Sequence, residues 1–250
     1  MMISILSPSK KQDFDVSAPT NTTQPRFLSE AETLMQELRT LSRPQIGELM
    51  SISDKLASLN FDRFQQFDPP FTNANAKPAV LAFRGDVYDG LDADSLSEES
   101  LAFAQEHLRI LSGLYGILRP LDLIQPYRLE MKTKLANPEG DDLYEFWGDK
   151  LAEQINSETD TLINLASNEY FKALPNKTLD VRLITPVFKE LKGEKYKVIA
   201  IYAKKARGAM ARFIIENRID TPEDLKNFQW EGYAFHNELS KKNEWVFTRG

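Results

Sequence analysis

Three cations stand close together in Tyr202-Ala-Lys-Lys-Ala-Arg-Gly208, behind the apolar run Lys197-Val-Ile-Ala-Ile-Tyr202 and ahead of a helical pattern from Gly208 to about Arg218. The spacing predicts a strand, a cationic turn and a helix start. The macrodipole is positive at a helix N-terminus, so Lys204, Lys205 and Arg207 oppose it there, at about 0.3–1 kcal/mol each. An anion would remove the conflict. Free N–H groups of the first turn, three cationic side chains and a glycine permitting close approach describe a phosphate or carboxylate site. A nucleic-acid backbone is one such anion. A solvated basic loop, paired with the protein's own acidic surface, is the plainer alternative.

A second constellation is Leu108-Arg-Ile-Leu-Ser-Gly-Leu-Tyr-Gly116, followed by Ile117-Leu-Arg119-Pro120. Paired glycines after a helical pattern are similar to a helix-hairpin-helix element at about 97–125, whose hairpin amides meet a phosphate while Arg109 and Arg119 add charge. The alternative is structural: Gly113 ends a helix and Gly116 allows tight packing. Downstream, Gln125-Pro-Tyr-Arg-Leu-Glu-Met131 offers Tyr127 as a base-stacking ring, as Tyr115 does in the hairpin. Arg128 and Glu130 there suit either a buried brace or an acid. Ser7-Pro-Ser-Lys10 and Ser167-Asn-Glu-Tyr170 each follow a predicted strand, the side of an open α/β sheet where ligands gather, so the two segments are expected to converge.

Catalysis is the competing reading of the same residues. A lysine held partly neutral by cationic neighbours can attack C1′ of a nucleotide or form a Schiff base, with Lys204 or Lys205 as nucleophile and Glu130 or Glu169 as acid/base. Such an enzyme would be glycosylase- or lyase-like. Metal chemistry has few donors: the chain has no cysteine and only His107 and His236, so any metal would need carboxylates. Asp86, Asp89, Asp92 and Asp94 lack the spacing and terminal glutamate of a calcium-binding loop, and they read as turn and cap residues. No metal and no cofactor is expected.

These residues need elements to hold them. Met2-Ile-Ser-Ile-Leu6 reads as a buried strand, and a polar loop runs from Pro8 to Phe27. Ser29 with Glu32 predicts a capped helix through Leu41, and Pro44 opens another that carries Ile46, Leu49, Met50, Leu56 and Leu59. Lys77 to Phe83 and Thr161 to Leu165 read as further strands. Ser95 with Glu98 caps a helix to about Leu111. Leu143, Phe146, Trp147, Leu151 and Ile155 form one apolar helix face. Thr221-Pro222 starts a last helix, and Gly232 to Phe235 with Trp245 to Phe247 suggest a terminal hairpin. Alternating strands and helices, with no repeat and no linker, predict one mixed α/β (α+β) domain over residues 1–250: a central mixed sheet with flanking helices.

Composition sets the boundaries. The longest apolar run falls well short of the roughly 18 residues that span a bilayer, and Met1 to Leu6 lacks a basic leader, so a soluble, unprocessed monomer away from membranes is expected. The absence of cysteine fits a reducing cytoplasm. Net charge is −6, yet residues 189–218 hold nine lysines and arginines against Glu190, Glu194 and Glu216. An acidic protein that concentrates positive charge in one segment should meet polyanions there.

Taken in order, Ile5-Leu-Ser-Pro-Ser-Lys10, Gly85-Asp-Val-Tyr88, Leu111-Ser-Gly-Leu-Tyr-Gly116, Pro126-Tyr-Arg-Leu-Glu-Met131, Ala166-Ser-Asn-Glu-Tyr-Phe171 and Tyr202-Ala-Lys-Lys-Ala-Arg-Gly208 closely resemble the YaaA (UPF0246) family of bacterial peroxide-stress proteins. The resemblance covers nearly the whole chain. It implies a cytoplasmic DNA-binding protein with a helix-hairpin-helix-like element and a positively charged cleft, sequence-tolerant on duplex or partly unpaired DNA. It also implies a part in protecting DNA during hydrogen peroxide stress and in limiting free iron. On matching positions it points to Lys10, Arg109, Gly113, Gly116, Arg119, Lys204, Lys205, Arg207 and Arg212 as DNA-contacting or cleft residues; Tyr115, Tyr127 and Arg128 join them from the residue-level reading. One departure is Lys132, where the family pattern leads us to expect glycine after Glu-Met. A turn with positive φ would strain a lysine there.

Overall fold

A computed structural model describes residues 1–15 and 21–250. Strand β1 (Met2–Leu6) is buried at every position and leads through a short loop to β2 (Lys11–Gln12). Helix α1 (Leu28–Thr40) buries Ala31, Leu34, Met35 and Leu38, the predicted face, but starts beyond Phe27 without a side-chain cap. The stretch expected as one helix after Pro44 is two. In α2 (Arg43–Met50) Ser42 and Gln45 form the capping box, and Ser51 stops the helix in the left-handed region; α3 (Asp54–Gln66) follows. The two helices present different faces, so Leu56 and Leu59 are exposed rather than in one stripe.

Residues 77–84 are not one strand. They form β3 (Lys77–Pro78), a single buried turn α4 (Ala79–Ala82) and β4 (Phe83–Arg84), followed by α5 (Asp86–Leu91). Helix α6 (Glu98–His107) is capped by Ser97, whose hydroxyl accepts from Ser100 N, so the cap lies two residues beyond the expected Ser95. It then stops four residues short of Leu111. Leu108 is extended, and β5 (Leu108–Ser112) turns back into β6 (Gly116–Leu118) as an antiparallel pair. The element at 97–125 is therefore a helix followed by a β-hairpin. This corrects the helix-hairpin-helix expectation: a short apolar run bounded by glycines suits a buried strand as well as a helix, and pairing with β1 decides it.

Beyond β7 (Leu123–Ile124), the one helix expected over Leu143 to Ile155 is two, α7 (Leu143–Trp147) and α8 (Lys150–Glu158), broken at Gly148 in positive φ, though the expected apolar residues are all buried; β8 (Thr161–Asn164) leads to α9 (Asn168–Phe171). The long β9 (Arg182–Lys192) folds back through β10 (Lys195–Lys197). The chain enters α10 (Ala200–Glu216) directly after this hairpin. Of the predicted strand only Lys197 stays extended, in β10, and Ala200 to Tyr202 are helix, because Ala203, Ala206, Ala209 and Met210 must be buried on one face. A 3₁₀ turn at Pro222–Asn227 replaces the expected last helix, and β11 (Ala234–Phe235) pairs antiparallel with β12 (Glu244–Arg249), as the terminal hairpin requires.

Parallel pairing joins β5, β1, β8, β9 and β12 in that order, and antiparallel β6, β10 and β11 complete an eight-stranded mixed sheet. From β1 the chain moves outward to β5 on one side, then returns to place β8 on the other. The strand order reverses at β1. In open α/β sheets such a switch point opens a crevice beyond the carboxyl ends of the strands. Helix α10 packs against α5 and α6 and reaches β9 and β1. It touches α5 backbone to backbone: a β-carbon at Gly90 would lie 2.1 Å from the Lys205 carbonyl oxygen. Among the described residues no helix is long and apolar enough to cross a membrane.

Candidate functional site

The crevice at the switch point is a groove of about 380 Å³. Its floor is built from the segments just beyond β1 and β8: Ser7 to Lys11 from one, Leu165, Ser167 and Tyr170 from the other. These segments are tied together. Ser7 Oγ accepts from the Ser167 amide at 2.9 Å and lies 3.3 Å from Ser167 Oγ. The convergence read from the sequence is therefore present. The opposite wall comes from β4, α5 and α10, through Arg84, Asp86, Val87, Lys204 and Arg207. Tyr88 of the same wall is fixed from below, its hydroxyl donating to the Ser7 carbonyl at 3.0 Å.

Charge in the groove is only partly compensated. Lys10 meets Glu130 at 3.0 Å, Lys204 meets Asp86 at 3.7 Å, and Arg84 lies between Asp13 and Asp94. Arg207 has neither carboxylate nor hydrogen-bond acceptor among the described residues, and burial alone pushes its guanidinium below the ordinary arginine range. Arginine remains charged through such shifts. A half-buried cation without a counterion is unfavourable, and an anion in the groove would offset that cost. Exposed Lys11 and half-buried Lys205 likewise have no acidic partner among the described residues.

Beside the groove a narrow extension of about 20 Å³ shares Pro8, Ser9, Lys10 and Tyr170 with it and is also lined by Tyr127, Arg128 and Glu130. There one carboxylate answers three cations: Glu130 meets Lys10 at 3.0 Å, Arg128 at 3.3 Å and Lys132 at 3.7 Å. The buried Nε of Arg128 has no acceptor among the described residues. Lys132 also reaches Glu169 at 3.9 Å. Its backbone is free of the positive φ that the family pattern suggested, so lysine is unstrained at that turn.

The anion site expected at a helix start is corrected in place. Lys204, Lys205 and Arg207 lie in the second and third turns of α10, so what Lys204 and Arg207 present to the groove is side-chain charge and not the free amides of a first turn. Gly208 serves the crossing with α5, not a ligand. Of the candidate catalytic residues, Lys204 lines the groove and Glu130 its extension, while Lys205 is outside the lining and Glu169 stands near Lys132.

Several other expected contact residues are structural. Arg109 is 4% exposed and holds Glu158 at 2.7 Å together with two carbonyls, and Arg119 braces Asp122 at 3.0 Å. Arg212 is spent on Asp92, Ser95 and Glu216. Tyr115 and Tyr127 are fully or nearly fully buried, edge to face with each other, and neither can stack on a base. Gly113 lies under the Leu129 carbonyl, Gly116 takes φ +66° against Trp147 and Leu151, and the Leu114 and Tyr115 amides of the turn donate to Ser112 Oγ. Lys11, Arg84 and Asp86 were missed as groove residues. Their signal was present, since Lys11 follows Lys10 and Arg84-Gly85-Asp86 closes an apolar run.

A shallower depression of about 440 Å³ between α1, α2 and residues 134–136 is lined by Glu37, Glu48 and Lys134 and gathers none of the expected site residues. Among the described residues no three histidine, aspartate or glutamate side chains come together as a metal site.

Sheet order, switch point and partly uncompensated cations define an α/β protein with a cationic groove beyond the carboxyl ends of its parallel strands. A family model described as "Peroxide stress protein YaaA" matches residues 2–239, and the chain belongs to that family. Relatives named as UPF0246 proteins support the assignment: it is 53% identical to one from Saccharophagus degradans over 99% of both chains. It is 55% identical to one from Alteromonas mediterranea, over 99% of this chain and 98% of the relative.

Proposed function

We propose that the protein is a cytoplasmic DNA-binding member of the peroxide-stress family, holding the phosphate backbone in the groove between β1, β8 and α10. The observation that carries this reading is Arg207, half-buried in the groove wall with no acid to answer it among the described residues. Lys11 and Lys204 line the same groove, and Lys205 follows Lys204 on the helix. The reading extends the interface to the β9–β10 hairpin, where Lys192, Lys195 and Lys197 are exposed and the chain runs straight into α10. Contacts to phosphate carry no sequence information, so binding is sequence-tolerant. Protection of DNA during hydrogen peroxide stress follows by occupancy. In this reading the link to free iron runs through DNA.

Titration of labelled duplex and single-stranded DNA across salt concentrations tests this. Each neutralised phosphate on a duplex contributes about −0.9 to the slope of log K against log salt. Lys204→Ala, Lys205→Ala and Arg207→Ala combined should weaken binding and flatten the slope by about 2.7. A salt-independent affinity, or an unchanged slope in that variant, would remove the reading.

A further inference from the structure

We propose that the groove is a pocket for one mononucleotide unit, with its phosphate at Arg207 and its base against Tyr170 and the apolar wall. The inference rests on the nucleic-acid reading of this groove and adds what enters it. A backbone needs only a shallow cationic track, yet this site is concave, and about 380 Å³ lies at the small end of the roughly 300–1,000 Å³ of small-molecule sites. That size suits one nucleotide and not a run of them.

The lining is divided in the way such a ligand requires. Arg207 and Lys11 are the cations without an acidic partner among the described residues, whereas Lys10, Arg84 and Lys204 already meet carboxylates. Pro8 and Val87 supply apolar surface, and Tyr170 borders both the groove and its narrow extension. Phosphate and ring are thus accommodated by different parts of one cavity. Aromatic and apolar surface gives a base stacking energy whatever its identity, and a fixed guanidinium fork suits a terminal or bridging phosphate. The unit can be free, or it can be a nucleotide unstacked from a strand.

The test is calorimetry with thymidine 5′-monophosphate, thymidine and inorganic phosphate on the full chain, beside fluorescence of 2-aminopurine placed within single-stranded and duplex oligonucleotides. The monophosphate should saturate one site per chain, with thymidine and phosphate each weaker by at least about tenfold. Arg207→Gln should lose at least about tenfold for the monophosphate at an unchanged unfolding midpoint. Should that variant unfold, exposed Lys11→Ala gives the same comparison, with a smaller loss expected. A rise in 2-aminopurine fluorescence identifies a strand nucleotide as the occupant; monophosphate binding without that rise identifies a free one. Phosphate binding as tightly as the monophosphate overturns the proposal, since the groove is then a plain anion site. No saturable monophosphate binding alongside salt-dependent DNA binding also overturns it and leaves the DNA reading standing. Monophosphate binding with no DNA binding has the reverse meaning.

Discussion

Gly208 of α10 and Val87 of α5 meet so closely that a β-carbon at position 208 would stand 1.8 Å from the Val87 carbonyl oxygen. Gly90 makes the reciprocal approach to α10. Arg207 and Lys204 line the groove from one helix, Asp86 and Val87 from the other, so this crossing sets the groove's width. Gly208→Ala must push the helices apart, an overpacking cost of about 1–3 kcal/mol. Urea unfolding should show that loss, and DNA affinity of the folded variant should fall with it. An unchanged midpoint would mean that the helices are not in backbone contact.

Arg109 is expected to act on stability alone. Burial pushes the Glu158 carboxyl up, but the Arg109 charge and hydrogen bond, with help from Arg26, reverse this and hold it below the usual carboxylate range. Removing one partner of a buried pair costs about 3–5 kcal/mol, and Arg109→Met should lose a large part of that, with Arg26 still facing Glu158. The salt dependence of DNA binding should not change. A depressed folded pKa gives stability that is present above the unfolded value of about 4.3 and is lost as pH falls through the lower folded value. Wild type should therefore weaken on acidification below about pH 4.3, and Glu158→Gln should lack this part of the acid loss. Identical pH profiles in urea unfolding would refute the linkage.

The parts of the site legible in the sequence were those fixed by short-range pattern. Met2 to Leu6 is apolar apart from Ser4, whose hydroxyl donates to the His107 carbonyl, because a central parallel strand is covered on both faces, and Ser7 and Ser167 follow strands that neighbour each other. What misled was apolar character without a period. Val198, Ile199 and Ile201 read as strand by β-branching, yet Val198 and Ile201 are exposed and the chain is helical from Ala200. The better signal was Ala203, Ala206 and Ala209 at a spacing of three, small residues that let α10 press onto α5. Partnership was invisible as well. Arg109 and Arg212 resemble Arg207 in sequence, and only tertiary contacts with Glu158 and Asp92 separate the braced from the unpaired; the Arg119 partner, Asp122, stands three residues on.

Tyr127→Phe separates a buried hydrogen bond from a stacking role. The Tyr127 hydroxyl lies 2.7 Å from Ser112 Oγ, which also accepts the Leu114 and Tyr115 amides in the β5–β6 turn. Deleting it should cost about 0.5–1.5 kcal/mol of unfolding free energy. Affinity for single-stranded DNA should stay within about twofold, because stacking is worth about 1–3 kcal/mol per base and this ring is too buried to offer it. A tenfold loss of affinity at unchanged stability would return Tyr127 to the interface.

The β9–β10 hairpin tests how far the interface reaches. Lys192 and Lys195 face each other across the turn and Lys197 follows, all three exposed and without an acidic partner among the described residues. Gly193 takes φ +62° at the tip with nothing packed against it, so changes to the neighbouring lysine side chains leave the fold alone. If the DNA backbone continues from the groove along α10 to this hairpin, replacing all three lysines by alanine should reduce the salt slope on duplex DNA by about 2.7. Monophosphate binding should be untouched, because none of the three lines the groove. A slope that does not move confines the interface to the groove; a simultaneous loss of monophosphate binding would mean that hairpin and pocket are one site.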